Sequence, residues 1–149
     1  MTTQEREITD TERANGDGPT ILVAEDHDET RNLLRFVLEG AGYRVVEAET
    51  GTDAVALAKS ESPELILTDL HMPGLDGVEA IRRIRAIPEL SEVPILAMSG
   101  DGRVGMELFL NIDDFGGGFI DYIAKPFNPE TVLDQINELL VHESISITT

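Results

Sequence analysis

The strongest constraint on the fold is a regular alternation of short apolar runs with longer stretches in which apolar residues recur at helical spacing. Five runs have the length of strands, and three of them are almost continuously apolar, as strands buried on both faces of a sheet require. They are residues 20–25 (TILVAE), 43–48 (YRVVEA), 64–69 (ELILTD), 93–98 (VPILAM) and 119–124 (FIDYIA). The stretches that follow each run predict helices.

Each predicted helix carries one apolar stripe that is expected to face the core. The stripes are Leu33, Leu34, Val37 and Leu38; Ala54, Leu57 and Ala58; Val78, Ile81 and Ile84; Met106, Phe109 and Leu110; and Val132, Leu133, Ile136, Leu139 and Leu140. Asn128 and Pro129 predict the start of the last helix, because asparagine caps helices and proline is favoured at the first helical position. The chain therefore predicts five strands and five helices in strict alternation.

This order of elements favours an α/β fold, with a flavodoxin-like doubly wound five-stranded parallel sheet in the order 2-1-3-4-5 and five helices. The connections between its strands are expected to be right-handed crossovers. In such a sheet ligands bind outside the carboxyl ends of the strands, beside strands one and three. Functional residues are therefore expected at that edge.

The chain of 149 residues is long enough for one domain with a substantial core. Residues 1–18 contain five acids, two arginines and one clear aliphatic residue, Ile8, so we predict a disordered acidic leader. The folded domain is expected at residues 19–141. Residues 142–149 are predicted to form a flexible tail.

Composition excludes several classes of function. The formal net charge of -18 disfavours binding to nucleic acid or to an anionic membrane surface, because both are negatively charged. The absence of cysteine excludes disulfides and thiolate metal sites, and it fits a reducing compartment. The first ten residues lack the apolar segment of a signal peptide, and the longest uninterrupted apolar run is residues 54–58. We therefore expect a soluble, cytoplasmic protein.

Polar and charged residues follow the predicted strands at the edge where a ligand is expected. Glu25 and Asp26 end the first strand, Asp69 the third and Ser99 the fourth, and Lys125 follows the fifth. Three carboxylates close together either take up protons or bind a hard cation, and Mg²⁺ is usually held by a few carboxylates and a phosphate. A lysine beside them can neutralise a phosphoryl oxygen. These residues predict a site for Mg²⁺ and a phosphoryl group.

Four motifs at these strand ends occur in a fixed order: ILVAEDHDE, LILTDLHMPGLDG, ILAMSG and DYIAKPF. Together they resemble the receiver domain of bacterial two-component response regulators, over about residues 19–141. Only residues 126–149 follow Lys125, enough for one helix and no output domain. We therefore expect a stand-alone, single-domain receiver.

The resemblance implies that Asp69 accepts a phosphoryl group from a phosphohistidine of a histidine kinase or histidine phosphotransferase. It also implies that Glu25, Asp26, Asp69 and the backbone carbonyl of His71 hold Mg²⁺. Lys125 matches the phosphate-binding lysine, which precedes a proline whose peptide bond is cis in the family. Asp69 would then be the nucleophile, while the metal and Lys125 offset the charge on the transferring group.

Two further positions match the switch of the family, namely Ser99 as the switch hydroxyl and Tyr122 as the switch aromatic. Phosphorylation is expected to draw Ser99 toward Asp69 while Tyr122 turns inward. This change would remodel the surface of the fourth helix, fifth strand and fifth helix, where a downstream protein target is expected to bind. The chain departs from the family at Glu25, where aspartate is more usual, and in the glycine-rich segment 100–118, whose shape is not predicted.

Other functions remain open at this point. A phosphorelay intermediate would pass the phosphoryl group to a histidine phosphotransferase. An aspartate-nucleophile phosphatase is less favoured, because it needs a second acid two residues after the first, where this chain has His71. Residues 100–105 match G-x-G-x-x-G, but a dinucleotide-binding unit needs that loop after its first strand and not after a fourth. We expect a phosphoacceptor that assists its own phosphorylation and dephosphorylation, and not an enzyme.

Overall fold

The computed structural model describes the backbone of residues 18–100, 102–103 and 120–148, and side chains as far as residue 141. The predicted leader up to residue 17, the stripe of the predicted fourth helix and most of the glycine-rich segment lie outside the described residues. Gly18, the last residue of the predicted leader, donates a backbone hydrogen bond to Gly42 O at 2.8 Å.

The five strands form one parallel sheet in the predicted order β2-β1-β3-β4-β5. The strands are β1 Thr20–Ala24, β2 Arg44–Ala48, β3 Leu65–Asp69, β4 Ile95–Ser99 and β5 Ile120–Ala124. The largest difference from the prediction is the first residue of β4, which is Ile95 and not Val93. Pro94 has no N–H to donate to the ladder, so it does not belong to the strand. The order confirms that residues 100–105 follow the fourth strand, where a dinucleotide loop is not expected.

Four of the five predicted helices lie in the described residues. We label them α1 Asp28–Gly40, α2 Gly51–Glu61, α3 Gly77–Arg85 and α4 Pro129–Thr148, so α4 is the predicted fifth helix. A short 3₁₀ helix, Pro88–Leu90, was not predicted. Within the described residues, none of the helices has the length and apolar character needed to cross a membrane.

The sheet is covered on both faces, and every residue of β3 and β4 is buried. Alternate strand residues pack against α1 and α4 on one face and against α2 and α3 on the other. The first cluster includes Ile21, Val23, Leu65, Leu67, Leu96 and Met98 with Leu34, Leu38, Val132 and Ile136. The second includes Leu22, Ala24, Ile66, Ile95 and Ala97 with Ala54, Ala58, Ile81 and Ile84. Burial on both faces explains the continuous apolar runs of the sequence.

The buried face of α1 differs from the predicted stripe. Leu34 and Leu38 are buried as expected, but Leu33 is 47% exposed, and Arg31 takes its place on the inner face. Arg31, Leu34 and Leu38 are three and four residues apart, so they lie on one side of the helix. The charge of Arg31 is tolerated there because acceptors surround its guanidinium.

The last helix begins where Asn128 and Pro129 predict it. Asn128 Oδ1 accepts a hydrogen bond from the backbone N–H of Glu130 at 2.9 Å, and Pro129 is the first helical residue. The backbone of residues 142–148, where we predicted a flexible tail, is helical. The flexibility of that segment stays a prediction.

Candidate functional site

The carboxyl ends of β1, β3 and β5 bring two acids and one lysine into direct contact. Lys125 Nζ lies 2.5 Å from Glu25 Oε1 and 2.8 Å from Asp69 Oδ2. Glu25 and Asp69 are buried, whereas 22% of the Lys125 side chain is exposed. The structure therefore joins three of the predicted site residues at the predicted edge of the sheet.

Asp69 is held in place by its neighbours in the chain. It is the last residue of the fully buried β3, and its Oδ1 accepts the backbone N–H of His71 at 2.9 Å. A Cβ added at Gly77 would lie 2.1 Å from the carbonyl oxygen of Asp69. The first turn of α3 therefore packs directly on the backbone that carries the carboxylate, and only glycine allows that approach.

Glu25 has both carboxylate oxygens engaged. Its Oε1 accepts from Lys125, and its Oε2 accepts the backbone N–H of His27 at 3.1 Å. Glutamate is one methylene longer than the aspartate usual in the family, and here its carboxylate contacts Lys125. Glu25 acts in this structure as a partner of the lysine.

Lys125 carries its charge in a partly buried place. Burial lowers the pKa of its ammonium group, but hydrogen bonds and charges from Asp69 and Glu25 outweigh burial, so the pKa is raised above its ordinary value. The lysine is therefore protonated at neutral pH. The peptide bond between Lys125 and Pro126 is cis, as the resemblance implied.

Asp26 completes an acidic cluster that fits a divalent cation. Glu25, Asp26, His27 and Asp69 each offer one ligand atom, and these atoms lie within 4.8 Å of one another. Asp26 Oδ1 is buried and has no hydrogen-bond partner among the described residues. A buried carboxylate oxygen without a donor is costly unless a cation approaches it, so the donor set suits Mg²⁺.

Two histidines flank this cluster. His27 is largely exposed, as expected for a loop residue, but its Nδ1 lies 3.3 Å from Glu25 Oε2 and 3.5 Å from Asp26 Oδ1. Sequence reasoning missed these contacts, although the position of His27 directly after Asp26 was a signal. His71 is exposed and contacts Asp69 through its backbone N–H. The ligand role of its carbonyl stays a prediction.

The two predicted switch residues are physically linked. Ser99 is fully buried at the end of β4, and its carbonyl oxygen accepts both the Tyr122 hydroxyl at 3.2 Å and the Lys125 backbone N–H at 2.9 Å. Tyr122 is half-buried against the core. Movement of the end of β4 is therefore expected to change the environment of Tyr122. The switch roles themselves stay predictions.

Sequence reasoning also missed Arg31, because an arginine at helical spacing usually lies on a solvated face. Arg31 is 9% exposed, and its Nη1 donates to the carbonyl oxygen of Glu25 at 2.9 Å. The only signal in the sequence was its position on the inner face of α1, three residues before Leu34.

A doubly wound sheet in this order, with acids directly after β1 and at the end of β3 and a lysine before a cis proline after β5, defines a domain of the receiver class. The chain belongs to the response regulator receiver domain family, whose family model matches residues 21–137. It is therefore a receiver domain of two-component signalling.

Two curated relatives show how the family uses this domain in chains of different length. Protein PilH of Pseudomonas aeruginosa is 35% identical over 123 residues, which cover 80% of this chain and 96% of PilH. The transcriptional regulatory protein ResD of Bacillus subtilis is 40% identical over 120 residues, which cover 80% of this chain and 47% of ResD. The chain thus spans about half of ResD and nearly all of PilH.

Solved structures agree with the fold. The chemotaxis response regulator CheY4 of Vibrio cholerae matches with a TM-score of 0.72 and 26% identity, over 81% of this chain and 98% of CheY4. The receiver domain of the sensor histidine kinase PA1611 of Pseudomonas aeruginosa matches with a TM-score of 0.69 and 30% identity, over 83% of this chain and 98% of that one. That structure has a magnesium ion coordinated in the active site cleft.

Proposed function

We propose that this chain is phosphorylated on Asp69 by a phosphohistidine of a histidine kinase or histidine phosphotransferase, with Mg²⁺ bound, and that it signals through contact with a downstream protein. The observation that carries the proposal is the position of Lys125, whose Nζ contacts Asp69 and Glu25 beside an Asp26 oxygen that accepts no hydrogen bond among the described residues. A lysine and a cation site on one carboxylate are the groups that phosphoryl transfer requires.

In the proposed reaction, a carboxylate oxygen of Asp69 attacks the phosphorus of the phosphohistidine. A P–O bond forms while the P–N bond breaks, and its electron pair returns to the imidazole nitrogen of the donor. Lys125 neutralises part of the charge on the transferring group, and the His71 N–H orients the Asp69 carboxylate. Asp69 is consumed as the acceptor, so the chain acts as a substrate that assists its own modification.

The residues that would hold Mg²⁺ are Asp26 and Asp69, with Glu25 at the same edge and the His71 carbonyl as the family implies. When bound, the ion supplies positive charge to phosphoryl oxygens that the lysine does not reach. The magnesium in the receiver domain of PA1611 supports this assignment.

A groove of about 440 Å³ opens next to the site and gives a phosphodonor a way in. Its walls are formed by His27, Thr30, Leu33, Lys125, Pro126 and Phe127. Lys125 belongs both to this groove and to the contact with Asp69. We therefore propose that a partner histidine approaches the acceptor carboxylate from the side of Lys125.

Phosphorylation is proposed to act by shifting an existing equilibrium in which Ser99 and Tyr122 change position together. The target would bind the surface of β5, α4 and the predicted fourth helix. We also propose that the chain receives its phosphoryl group in the cytoplasm. PilH, 96% of which the match covers, is a relative made up almost entirely of this domain, and it supports the proposal of signalling through a partner protein.

The test of the proposal is phosphorylation of the full chain by acetyl phosphate and Mg²⁺, followed by intact mass measurement. The wild type is expected to gain one phosphoryl group, and Asp69→Asn none. Asp134→Asn, at an exposed acid of α4, is the matched control and is expected to behave as the wild type. Undiminished, acid-stable incorporation in Asp69→Asn would overturn the assignment.

Two versions of this function differ in the fate of the phosphoryl group. A signalling adaptor keeps it until hydrolysis, whereas a phosphorelay intermediate returns it to a histidine phosphotransferase. Radiolabelled chain mixed with such a partner separates them, because only the intermediate transfers label to the partner.

A further inference from the structure

Arg31 is a buried cation whose contacts reach three separate parts of the fold. Its Nη1 donates to the Glu25 carbonyl at 2.9 Å, and its Nη2 lies 2.6 Å from Asp28 Oδ1. Its Nη2 also lies 3.4 Å from Glu49 Oε1, and its Nε lies 3.4 Å from Glu47 Oε2. Arg31 therefore connects the end of β1, the first turn of α1 and the end of β2.

The contact with Glu25 is the one that bears on the functional site. β1 ends at Ala24, and the N–H of Glu25 donates to Ala48 O at 3.0 Å. The carbonyl of the same residue is held by Arg31. The carbonyl that Arg31 holds belongs to the peptide group that joins Glu25 to Asp26, so these two hydrogen bonds fix the backbone directly before Asp26.

The acids around Arg31 hold the guanidinium in turn. A charge-assisted hydrogen bond from a guanidinium to a carboxylate is among the stronger ones in proteins. Asp28 accepts such a hydrogen bond from Nη2, and Glu47 and Glu49 form ion pairs with Nε and Nη2 at 3.4 Å, so these acids favour the position of the guanidinium beside the Glu25 carbonyl. The acids thus hold the guanidinium of Arg31, and the guanidinium in turn holds the backbone directly after β1.

We propose that Arg31 is a positioning residue for Mg²⁺ binding and phosphoryl transfer, because it holds the Glu25 carbonyl and thereby sets the orientation of the Asp26 and Glu25 carboxylates. The inference rests on the proposed phosphorylation of Asp69. It assigns to Arg31 no contact with the metal or the phosphoryl group.

Arg35 provides a matched control on the same helix. It lies one turn further along α1, and its Nη1 is 2.6 Å from Glu47 Oε1. Its other described partner is Glu39, and it has no described contact with the end of β1. Removal of Arg35 therefore removes the same formal charge near the same acid without releasing the Glu25 carbonyl.

The experiment compares Mg²⁺ binding by the full chain as wild type, Arg31→Gln and Arg35→Gln, by isothermal titration calorimetry. Loss of an outer partner of a metal site costs about tenfold or more in metal affinity. We expect Arg31→Gln to raise the Kd for Mg²⁺ about tenfold relative to Arg35→Gln. Equal Kd values for the two variants overturn the proposal, because charge alone would then account for the effect.

A second measurement separates positioning from general damage to the fold. The rate of phosphorylation by acetyl phosphate is measured against Mg²⁺ concentration in both variants. We expect Arg31→Gln to need about tenfold more Mg²⁺ for half the maximal rate while keeping most of that maximal rate. A lower maximal rate with an unchanged Mg²⁺ midpoint contradicts the proposal.

Should Arg31→Gln fail to fold, Arg31→Lys and Arg35→Lys replace the glutamine pair. Lysine keeps the charge, but its single ammonium group cannot contact the Glu25 carbonyl and the three acids at the same time. We therefore expect a weaker Mg²⁺ affinity in Arg31→Lys than in Arg35→Lys. Equal affinities again overturn the proposal. Failure of the proposed function is distinguishable, because the wild type itself would then take up no phosphoryl group.

Discussion

At the scale of single residues, the site depends on close contacts that leave no room for a larger side chain. Gly77 begins α3 and donates its N–H to Leu70 O at 3.1 Å. A Cβ at this residue would lie 2.1 Å from Asp69 O and 2.5 Å from Leu70 Cα. Both atoms belong to the backbone, so neither can move away without displacing the acceptor aspartate.

Gly77→Ala is therefore expected to destabilise the fold by roughly 1–3 kcal/mol, as overpacking typically does, and to slow phosphorylation of Asp69. Urea unfolding gives the first quantity, and the rate of mass gain with acetyl phosphate gives the second. The control is Gly40→Ala, where a Cβ meets no atom within 4 Å. If Gly77→Ala has the same free energy of unfolding and the same phosphorylation rate as Gly40→Ala, this account of Gly77 is contradicted.

At the scale of elements, α4 is tied to the connection between α1 and β2 by a side-chain contact. The Tyr43 hydroxyl donates to Asn137 Oδ1, and the tyrosine ring packs in the cluster beneath α1 and α4. Burial raises the pKa of the Tyr43 hydroxyl above its ordinary value of 10.0. The folded state therefore favours the neutral phenol more than the unfolded chain does.

Because the pKa is raised in the folded state, the neutral phenol of Tyr43 contributes fully to the free energy of unfolding below about pH 10. This contribution is lost as the pH rises through the pKa of the folded state. Tyr43→Phe is expected to cost about 1 kcal/mol at pH 7 through loss of the hydrogen bond. As the pH rises above about 10, the free energy of unfolding of Tyr43→Phe is expected to fall less than that of the wild type, because the variant has no phenol to ionise. Urea unfolding across this pH range measures both effects, and parallel pH profiles would contradict the prediction.

At the scale of the whole molecule, the formal net charge of -18 sets the electrostatic background of the site. A net charge far from zero destabilises the compact state through self-repulsion, and salt screens part of it. Glu25, Asp26 and Asp69 concentrate some of that repulsion at one edge of the sheet. A divalent cation bound there relieves it locally, whereas monovalent salt acts over the whole surface.

Mg²⁺ is therefore expected to raise the melting temperature more than NaCl does at equal ionic strength. Binding to the folded state adds about 1.4 kcal/mol of stability when Mg²⁺ is at ten times its Kd. Asp26→Asn should lose this Mg²⁺-specific gain and keep the response to NaCl. Thermal melts of both proteins in the two salts test this, and an equal Mg²⁺-specific gain in the variant would exclude Asp26 as a ligand.

The strands, their order and the edge that carries the site were predictable from the sequence. Burial on both faces of a sheet requires continuous apolar runs, and that pattern is local in the chain. Parallel strands end at one edge, so acids at residues 25, 26 and 69 and the lysine at 125 were expected to converge. The structure brings Glu25, Asp69 and Lys125 into contact as this reasoning implied.

What only the tertiary structure decided is how these side chains pair. Glu25 meets Lys125 across 100 positions of the chain, and only the packed sheet brings the two side chains together. Arginine on a helix usually lies on a solvated face, yet Arg31 is buried, where Glu47 on β2 and Glu49 in the following loop pair with its guanidinium. Local composition determines which segments are buried, but the partners of a buried charge are known only when distant segments are packed together.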